Sequence, residues 1–437
     1  MTILAEDIIP DVVCTICGTG CDDIQVKFRD GIIVEAKNAC AVSMSKFLGP
    51  HPERYNSPMI RQNGELKPAS FKDAISKAAT TLSDAKYPIL LGWSLTSTEA
   101  TCLGVELAEL VGGVIDNNTG FCHGPGLIGA HDIGISTCTL GEVRHRADVI
   151  VYWASNPVHA HPRHIARYTV LSKGRFRNDR KERKMIVVDV RKTDTAKMAD
   201  LFIQVEPNGD YELLSALRMA VKGEELEQQT VAGVSSEKIE ELADILVGCE
   251  FGILFYGVGL TMSLGKSRNL DAALSLVRDL NKFTKFLIMP MRGHFNVCGA
   301  NEVTSWTTGY PYAVDLSRGY PFYNPGETSA VDILSRGECD AALIVSSDPV
   351  SHLPRRVAES LSAIPVVTLD PHITSTTMIS DVVFPTAITG IETGGSLYRM
   401  DGVVLETKKL LDPPEGVKTD VEVLKGIVGQ VRSLKGA

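Results

Sequence analysis

Four cysteines near the start carry the densest chemical signal in this 437-residue chain: Cys14, Cys17, Cys21 and Cys40, spaced C-x2-C-x3-C-x18-C, with Gly18 and Gly20 between the second and third. Thiolates are soft ligands, and glycine permits the tight backbone turns that bring several of them to one centre. Structural zinc also takes four cysteines, more often as two C-x2-C pairs. The asymmetric three-plus-one spacing favours a [4Fe–4S] cluster. Four inert buried thiols at this density are the weaker reading.

A second constellation is Asp116-Asn-Asn-Thr-Gly-Phe-Cys122-His123-Gly124-Pro125-Gly126. Cys122, framed by glycines and a proline, sits in a loop built to present a thiolate. Taken alone, the loop equally suits a buried thiol beside a hydrogen-bonded histidine, and sequence neighbours need not touch. Beside an iron–sulfur site, a soft thiolate suits molybdenum or tungsten held by dithiolenes. A third stretch runs from Met289 through Arg292, Gly293, His294 and Asn296 to Gly299. Arg292 could grip a small carboxylate in bidentate fashion, with a cofactor-phosphate contact or a surface ion pair as alternatives. His159, His161 and His164 resemble a metal cluster but, following Asn156-Pro157, more simply line a cofactor turn.

These residues need a scaffold, and the hydrophobic pattern supplies one. Gln25–Ala36 alternates around Asp30-Gly31, which predicts a hairpin ahead of Cys40. Thereafter apolar runs of four or five residues recur: 88–92, 149–153, 185–189, 201–205, 251–255, 286–289, 341–345 and 365–369. Helical stretches such as 71–85 and the segment capped by Ser97 alternate with them, and runs of this kind are strands buried on both faces of parallel sheets. The expected fold class is therefore α/β and doubly wound, with two sheets. The charged stretch 175–184 reads as a solvated loop.

In such sheets ligands sit in the crevice at the carboxyl ends of the strands. Five strand-end turns carry polar or glycine tips: Asn156-Pro157, Asp189-Val-Arg191-Lys-Thr193, Gly257-Val-Gly259, Ser347-Asp348-Pro349 and Asp370-Pro-His372. Together they suggest a long pyrophosphate-bearing ligand. Neither G-x-G-x-x-G nor G-x-x-x-x-G-K-[ST] is present, which disfavours an ordinary NAD fold or a P-loop.

A net charge of −9 and the lack of a basic run argue against nucleic-acid binding. Ten scattered cysteines do not resemble a secreted disulfide framework. No signal peptide or apolar run long enough to span a bilayer is read, so a cytoplasmic protein is expected.

Put together, these motifs resemble the molybdopterin (or tungstopterin) oxidoreductase family, the formate dehydrogenase and nitrate reductase group. The likeness spans nearly the whole chain, including Pro207-Asn-Gly-Asp210 and Asp381-Val-Val-Phe-Pro385. The Cys122-His123 pair and its lead-in look most like the formylmethanofuran dehydrogenase branch. The resemblance implies a [4Fe–4S] domain over 1–58 and two Rossmann-like domains. One is discontinuous (59–122 and 290–437) and the other covers 123–289, without the C-terminal β-barrel of the larger members. It implies W or Mo bis(molybdopterin guanine dinucleotide), with Cys122 ligating the metal. His123 would handle a proton with a pKa near neutrality, and Arg292 would hold CO2 or formate. Asn156, Asp189, Arg191, Thr193, Asp210, Gly257, Gly259, Ser347, Asp348 and Asp370 would line the cofactor. Lys46 would link it to the cluster, although it lies farther from Cys40 than the family norm, and Arg399 replaces a usual asparagine. Implied partners are an amidohydrolase-type subunit, a small β-barrel subunit completing the pterin site, and ferredoxin-like polyferredoxin subunits. The alternatives are a free-standing formate dehydrogenase subunit, or an electron-transfer subunit without metal–pterin.

Overall fold

A computed structural model of the chain describes residues 7–49 and 54–436. By internal contacts it divides into two units, 1–120 with 294–399 and 404–437, and 121–293 with 400–403.

The second unit is built on five parallel strands in the order Leu201–Gln204, Lys184–Asp189, Val149–Trp153, Phe251–Tyr256, Lys285–Pro290. The central strands are buried along their whole length, which is why they read as unbroken apolar runs. Helices Asp210–Val221, Ser236–Val247 and Ser267–Leu280 contribute Leu213, Leu217, Leu242, Leu270 and Leu276 to one core. Tyr152, Phe255, Met289 and Tyr168 belong to a separate core.

The first unit carries a nine-stranded sheet whose five central strands are parallel: Val114–Asn117, Pro88–Gly92, Ala341–Val345, Val366–Asp370 and Val382–Pro385. Antiparallel pairs finish both edges. The hairpin Met59–Gln62/Glu65–Pro68 and the strand Val114–Asn117 are too short and mixed in pattern to be anticipated from periodicity. Helices Phe71–Asp84, Thr98–Val111 and Asp420–Lys435 begin at Ser70, Ser97 and Thr419, whose hydroxyls each accept a backbone N–H of the first turn.

Within this unit lies the N-terminal three-stranded antiparallel sheet, Asp7–Val12, Ile24–Arg29 and Ile32–Lys37, followed by the helix Ala41–Leu48. Val12, Ile24, Val26 and Phe28 pack with Ile388 and Ile391. Arg54 clamps Glu392 bidentately at 2.9 and 2.8 Å, with both side chains buried.

None of the sheets among the described residues closes into a barrel, and no described helix is long and apolar enough to cross a membrane. The charged stretch after Arg175 is not wholly solvated. Arg183 is buried at 2% exposure and caps the carbonyls of Ala147 and Arg177, both at 2.9 Å.

Candidate active site

The Cys122 loop is built in the second unit. Cys122 and His123 immediately precede the helix Gly124–Ile133, with Pro125 in its first turn. The carbonyl of Cys122 accepts a hydrogen bond from the Thr261 hydroxyl at 2.6 Å, so the loop is fixed through its backbone. The two side chains do meet: Cys122 Sγ lies 3.0 Å from His123 Nδ1.

The guanidinium of Arg292, itself 5% exposed, acts electrostatically on both residues. Burial raises the Cys122 thiol above its ordinary pKa, with Arg292 opposing. Burial, followed by Arg292, holds His123 well below the usual imidazole value, while the nearby Tyr256 carbonyl opposes that fall. His123 is therefore neutral in the protein chain alone, and the near-neutral pKa expected for it is not what its enclosure produces. A buried thiol that resists ionisation becomes a thiolate readily only when a Lewis acid takes the sulfur, so this donor suits a metal.

The strand-end turns reveal a device used once in each unit. After Val149–Trp153 comes Ala154 at φ 49°, then Ser155, Asn156 and Pro157. After Ala341–Val345 comes Ser346 at φ 47°, then Ser347, Asp348 and Pro349. Asn156 and Asp348 share nearly one conformation, φ/ψ −120°/72° and −121°/70°. Each side chain is bolted by a threonine: Thr195 Oγ1 donates to Asn156 Oδ1 at 2.6 Å, and Thr376 Oγ1 donates to Asp348 Oδ1 at 2.6 Å.

The same threonine hydroxyls accept the N–H of Val158 and Val350, both at 3.3 Å. The next strand of each sheet ends in Asp189 or Asp370, whose Oδ1 accepts the N–H two residues on, from Arg191 at 3.3 Å and His372 at 2.8 Å. The two units thus carry the same strand-end turn, built from the same kinds of contact.

These bonds refine the roles expected from sequence. Asn156 and Asp348 spend their side chains on Thr195 and Thr376, and Thr193 Oγ1 accepts the Ala196 N–H at 3.1 Å. Asp210 accepts Trp153 Nε1–H at 2.8 Å. Asn156, Asp348 and Thr193 thus help shape their own turns, and Asp210 anchors the Trp153 indole. Arg191 is exposed. Gly257 is required by close approach, since a Cβ there would lie 2.1 Å from the Ala154 carbonyl oxygen, and one on Gly259 would lie 2.9 Å from Ala154 Cβ. Gly257→Ala is expected to destabilise the second unit by about 3 kcal/mol through overpacking against backbone, measurable as a fall in Tm of several degrees. Thr195, Thr376, Thr261 and Tyr256 carry no motif of their own in the sequence; the repeated Ser-Asx-Pro motif is the available signal for the first two.

In the first unit a cavity of about 530 Å³ is lined by Thr15, Lys46, Phe295, Ser347, Asp348 and Asp370, among others. Four of the residues expected at a cofactor therefore share one hollow. Lys46 Nζ donates to the Thr15 carbonyl at 2.9 Å and to its hydroxyl at 2.8 Å. The stem of Lys46 is partly exposed but its ammonium is enclosed, and burial depresses the pKa to about 8. Burial also lifts the Asp370 carboxyl to about 8.

Thr15 lies next to Cys14. All four N-terminal cysteines are unpaired by disulfides, and Cys14 and Cys21 are buried. The Cys14 N–H donates to the Cys21 carbonyl at 2.8 Å, and Gly20, at φ 47°, closes the turn onto Cys17. Cys14 Sγ is 3.1 Å from Ser43 Oγ, and Ser43 N–H donates to Cys40 Sγ at 3.4 Å. Burial raises Cys14 to about 11 and raises Cys17 as well. Among the described residues no three His, Cys, Asp or Glu side chains are set around one metal ion. The cysteines of a polynuclear cluster bind separate irons, so they need not meet at one point. Several neighbouring thiols, with a backbone N–H and a hydroxyl directed at sulfur, suit such a group.

A doubly wound α/β scaffold, matched strand-end turns and a partly buried Cys122 thiol are compatible with a metal–pterin oxidoreductase. The chain belongs to the molybdopterin oxidoreductase family, whose model matches residues 54–430, and this membership implies a metal–pterin cofactor. It is 49% identical over 433 residues to a subunit of the tungsten-containing formylmethanofuran dehydrogenase 2 of Methanocaldococcus jannaschii, covering 98% of this chain and 99% of that one. To the corresponding subunit from Methanococcus maripaludis it is 47% identical over 435 residues, covering 98% and 100%. It is thus an enzyme of the formylmethanofuran dehydrogenase lineage. Its fold is similar to a chain in the crystal structure of the formyltransferase/hydrolase complex FhcABCD from Methylorubrum extorquens with methylofuran. That likeness has a TM-score of 0.72 at 22% identity and covers 87% of this chain and 100% of that one.

Proposed function

We propose that this chain is the catalytic redox subunit of a formylmethanofuran dehydrogenase, interconverting CO2 and formate at a tungsten or molybdenum bis(molybdopterin guanine dinucleotide) centre. The observation that carries the reading is the Cys122 Sγ–His123 Nδ1 contact of 3.0 Å under the field of Arg292. Cys122 is the metal's protein ligand, and the bound metal–pterin group supplies the two-electron redox chemistry. Cys14, Cys17, Cys21 and Cys40 hold a [4Fe–4S] cluster, which supplies one-electron transfer. Asn156, Asp189, Arg191, Thr193, Asp210, Gly257, Gly259, Ser347, Asp348 and Asp370 are the residues that would line the cofactor. Lys46 is the cluster-to-pterin link.

The chain's own residues do the rest. Arg292 grips the carboxylate of formate and stabilises the charge that develops on the CO2 oxygens. With a thiolate beside it, His123 carries its hydrogen on Nδ1, which leaves Nε2 as the base. Burial and Arg292 hold the ring well below the usual imidazole value despite the Tyr256 carbonyl, so Nε2 would pass on the proton released with two electrons from formate rather than keep it. Partners of amidohydrolase, small β-barrel and polyferredoxin type would condense formate with methanofuran, complete the pterin site and deliver electrons, in a cytoplasmic complex. The test is elemental and pterin analysis of the anaerobically purified complex. About four irons, one W or Mo and two pterins per copy, after subtracting partner clusters, are expected. Iron without W, Mo or pterin would reduce the chain to an electron conduit.

A further inference from the structure

We propose that His161 is a positioning residue for Arg292, setting where the guanidinium meets the substrate carboxylate. This rests on the reading above, in which Arg292 holds formate. His161 Nε2 lies 2.7 Å from the Arg292 carbonyl oxygen. A carbonyl can only accept, so Nε2 carries the hydrogen, and the ring is held in one tautomer.

His161 is 2% exposed, and its backbone is pinned on both sides. Its N–H donates to the Pro157 carbonyl at 2.8 Å, and its carbonyl accepts from His164 N–H at 2.8 Å. The imidazole therefore projects from a rigid turn, the one that Asn156 and Thr195 bolt together.

At the other end, the Arg292 backbone leaves the sheet just after Lys285–Pro290. Met291 N–H is tied to the Tyr256 carbonyl at 2.8 Å, and Arg292 N–H to the Pro290 carbonyl at 3.1 Å. Beyond that point the support thins, because a Cβ on Gly293 would meet no described atom within 4 Å. The Arg292 carbonyl, at the buried end of this peptide, is held by the His161 bond, while Gly293 at its other end is exposed. A shift of the Arg292 backbone carries its side chain with it, and a grip on a carboxylate tolerates little angular error. None of the metal-cluster chemistry suggested by the spacing of His159, His161 and His164 is required; His159 is exposed and pairs with Asp194 at 2.6 Å.

The test uses the holocomplex carrying His161→Leu, His161→Gln, Arg292→Lys and the His161→Leu/Arg292→Lys pair. The readouts are formate affinity by calorimetry, kcat and KM for dye-linked formate oxidation, and W and pterin content. His161→Leu is expected to weaken formate binding and raise KM by about tenfold with metal and pterin retained. His161→Gln, whose amide N–H can reach the place of Nε2–H, should stay within about threefold of the parent. In the Arg292→Lys background His161→Leu should add less than about twofold, because the interaction it served is gone. An unchanged affinity and KM in His161→Leu, with Arg292→Lys impaired, overturns this proposal alone. An Arg292→Lys enzyme that binds formate as the parent does overturns the underlying reading instead. If the leucine variant fails to assemble, His161→Gln is compared with His161→Asn, whose amide reaches only the place of Nδ1. Gln should bind formate more tightly, and equal affinities would count against the proposal.

Discussion

Cys122→Ala is expected to lower formate oxidation by about 10³-fold or more, equivalent to about 4 kcal/mol of lost transition-state stabilisation, while leaving the iron content of the complex unchanged. The site explains both halves of this result. Cys122 Sγ is a soft donor, and burial disfavours its ionisation unless a metal accepts the sulfur. Removing it takes away the protein's own ligand and the thiolate toward which His123 Nδ1 is turned, 3.0 Å away. Cys14, Cys17, Cys21 and Cys40, proposed to bind iron, lie in the first unit and keep their own hydrogen bonds, so the loss should be confined to the catalytic metal and its proton acceptor. Cys122→Ser separates the two contributions, since an alkoxide is a harder and more basic ligand than a thiolate. It should retain more activity than the alanine variant does. Full activity in Cys122→Ala would end the catalytic reading and leave an electron-transfer subunit.

Cys17→Ala is expected to remove about four irons per chain together with the reduced-state EPR signal of the cluster. It should also lower the midpoint of thermal unfolding of the N-terminal region. Cys17 sits at the tight turn closed by the Gly20 N–H, and its neighbours Cys14 and Cys21 belong to the apolar cluster with Val12, Ile24 and Phe28. A metal group bound there adds its binding energy to folding. Without it, thiols that resist ionisation are left packed against one another. Loss of a single zinc instead of four irons would convert the site to a structural one. Retention of all the iron would show that Cys17 is not a ligand.

Much of the architecture is legible along the chain because its signals are local. A strand buried on both faces is an apolar run of about five residues wherever it lies, so Val149–Trp153, Phe251–Tyr256 and Ala341–Val345 stand out unaided. Helix starts at Ser70 and Ser97 follow from side chains that cap their own first turn. The spacing of Cys14, Cys17 and Cys21 is likewise a local constraint, because a short glycine-bearing turn holds the three thiols together.

What sequence could not decide depends on residues distant in the chain meeting in space. Cys122 and Arg292 come under one field because Thr261 ties the carbonyl of the Cys122 loop while Tyr256 ties the backbone just before Arg292, contacts between segments far apart in the chain. Lys46 reaches Thr15 only once the helix Ala41–Leu48 folds back over the cysteine turn. Asn156 and Asp348 read as ligand contacts, yet tertiary structure spends both side chains on threonines 39 and 28 residues away. His123 reads as a residue poised near neutrality, but enclosure decides its charge, and enclosure is a property of the packed fold. His161 reads as one of three spaced histidines; only the fold sends it to the Arg292 carbonyl and His159 to solvent. Residue type and spacing determined which chemistry the chain can carry. The tertiary structure decided which side chains face that chemistry and which hold them in place, because hydrogen-bond geometry and desolvation act through distance in space and not along the chain.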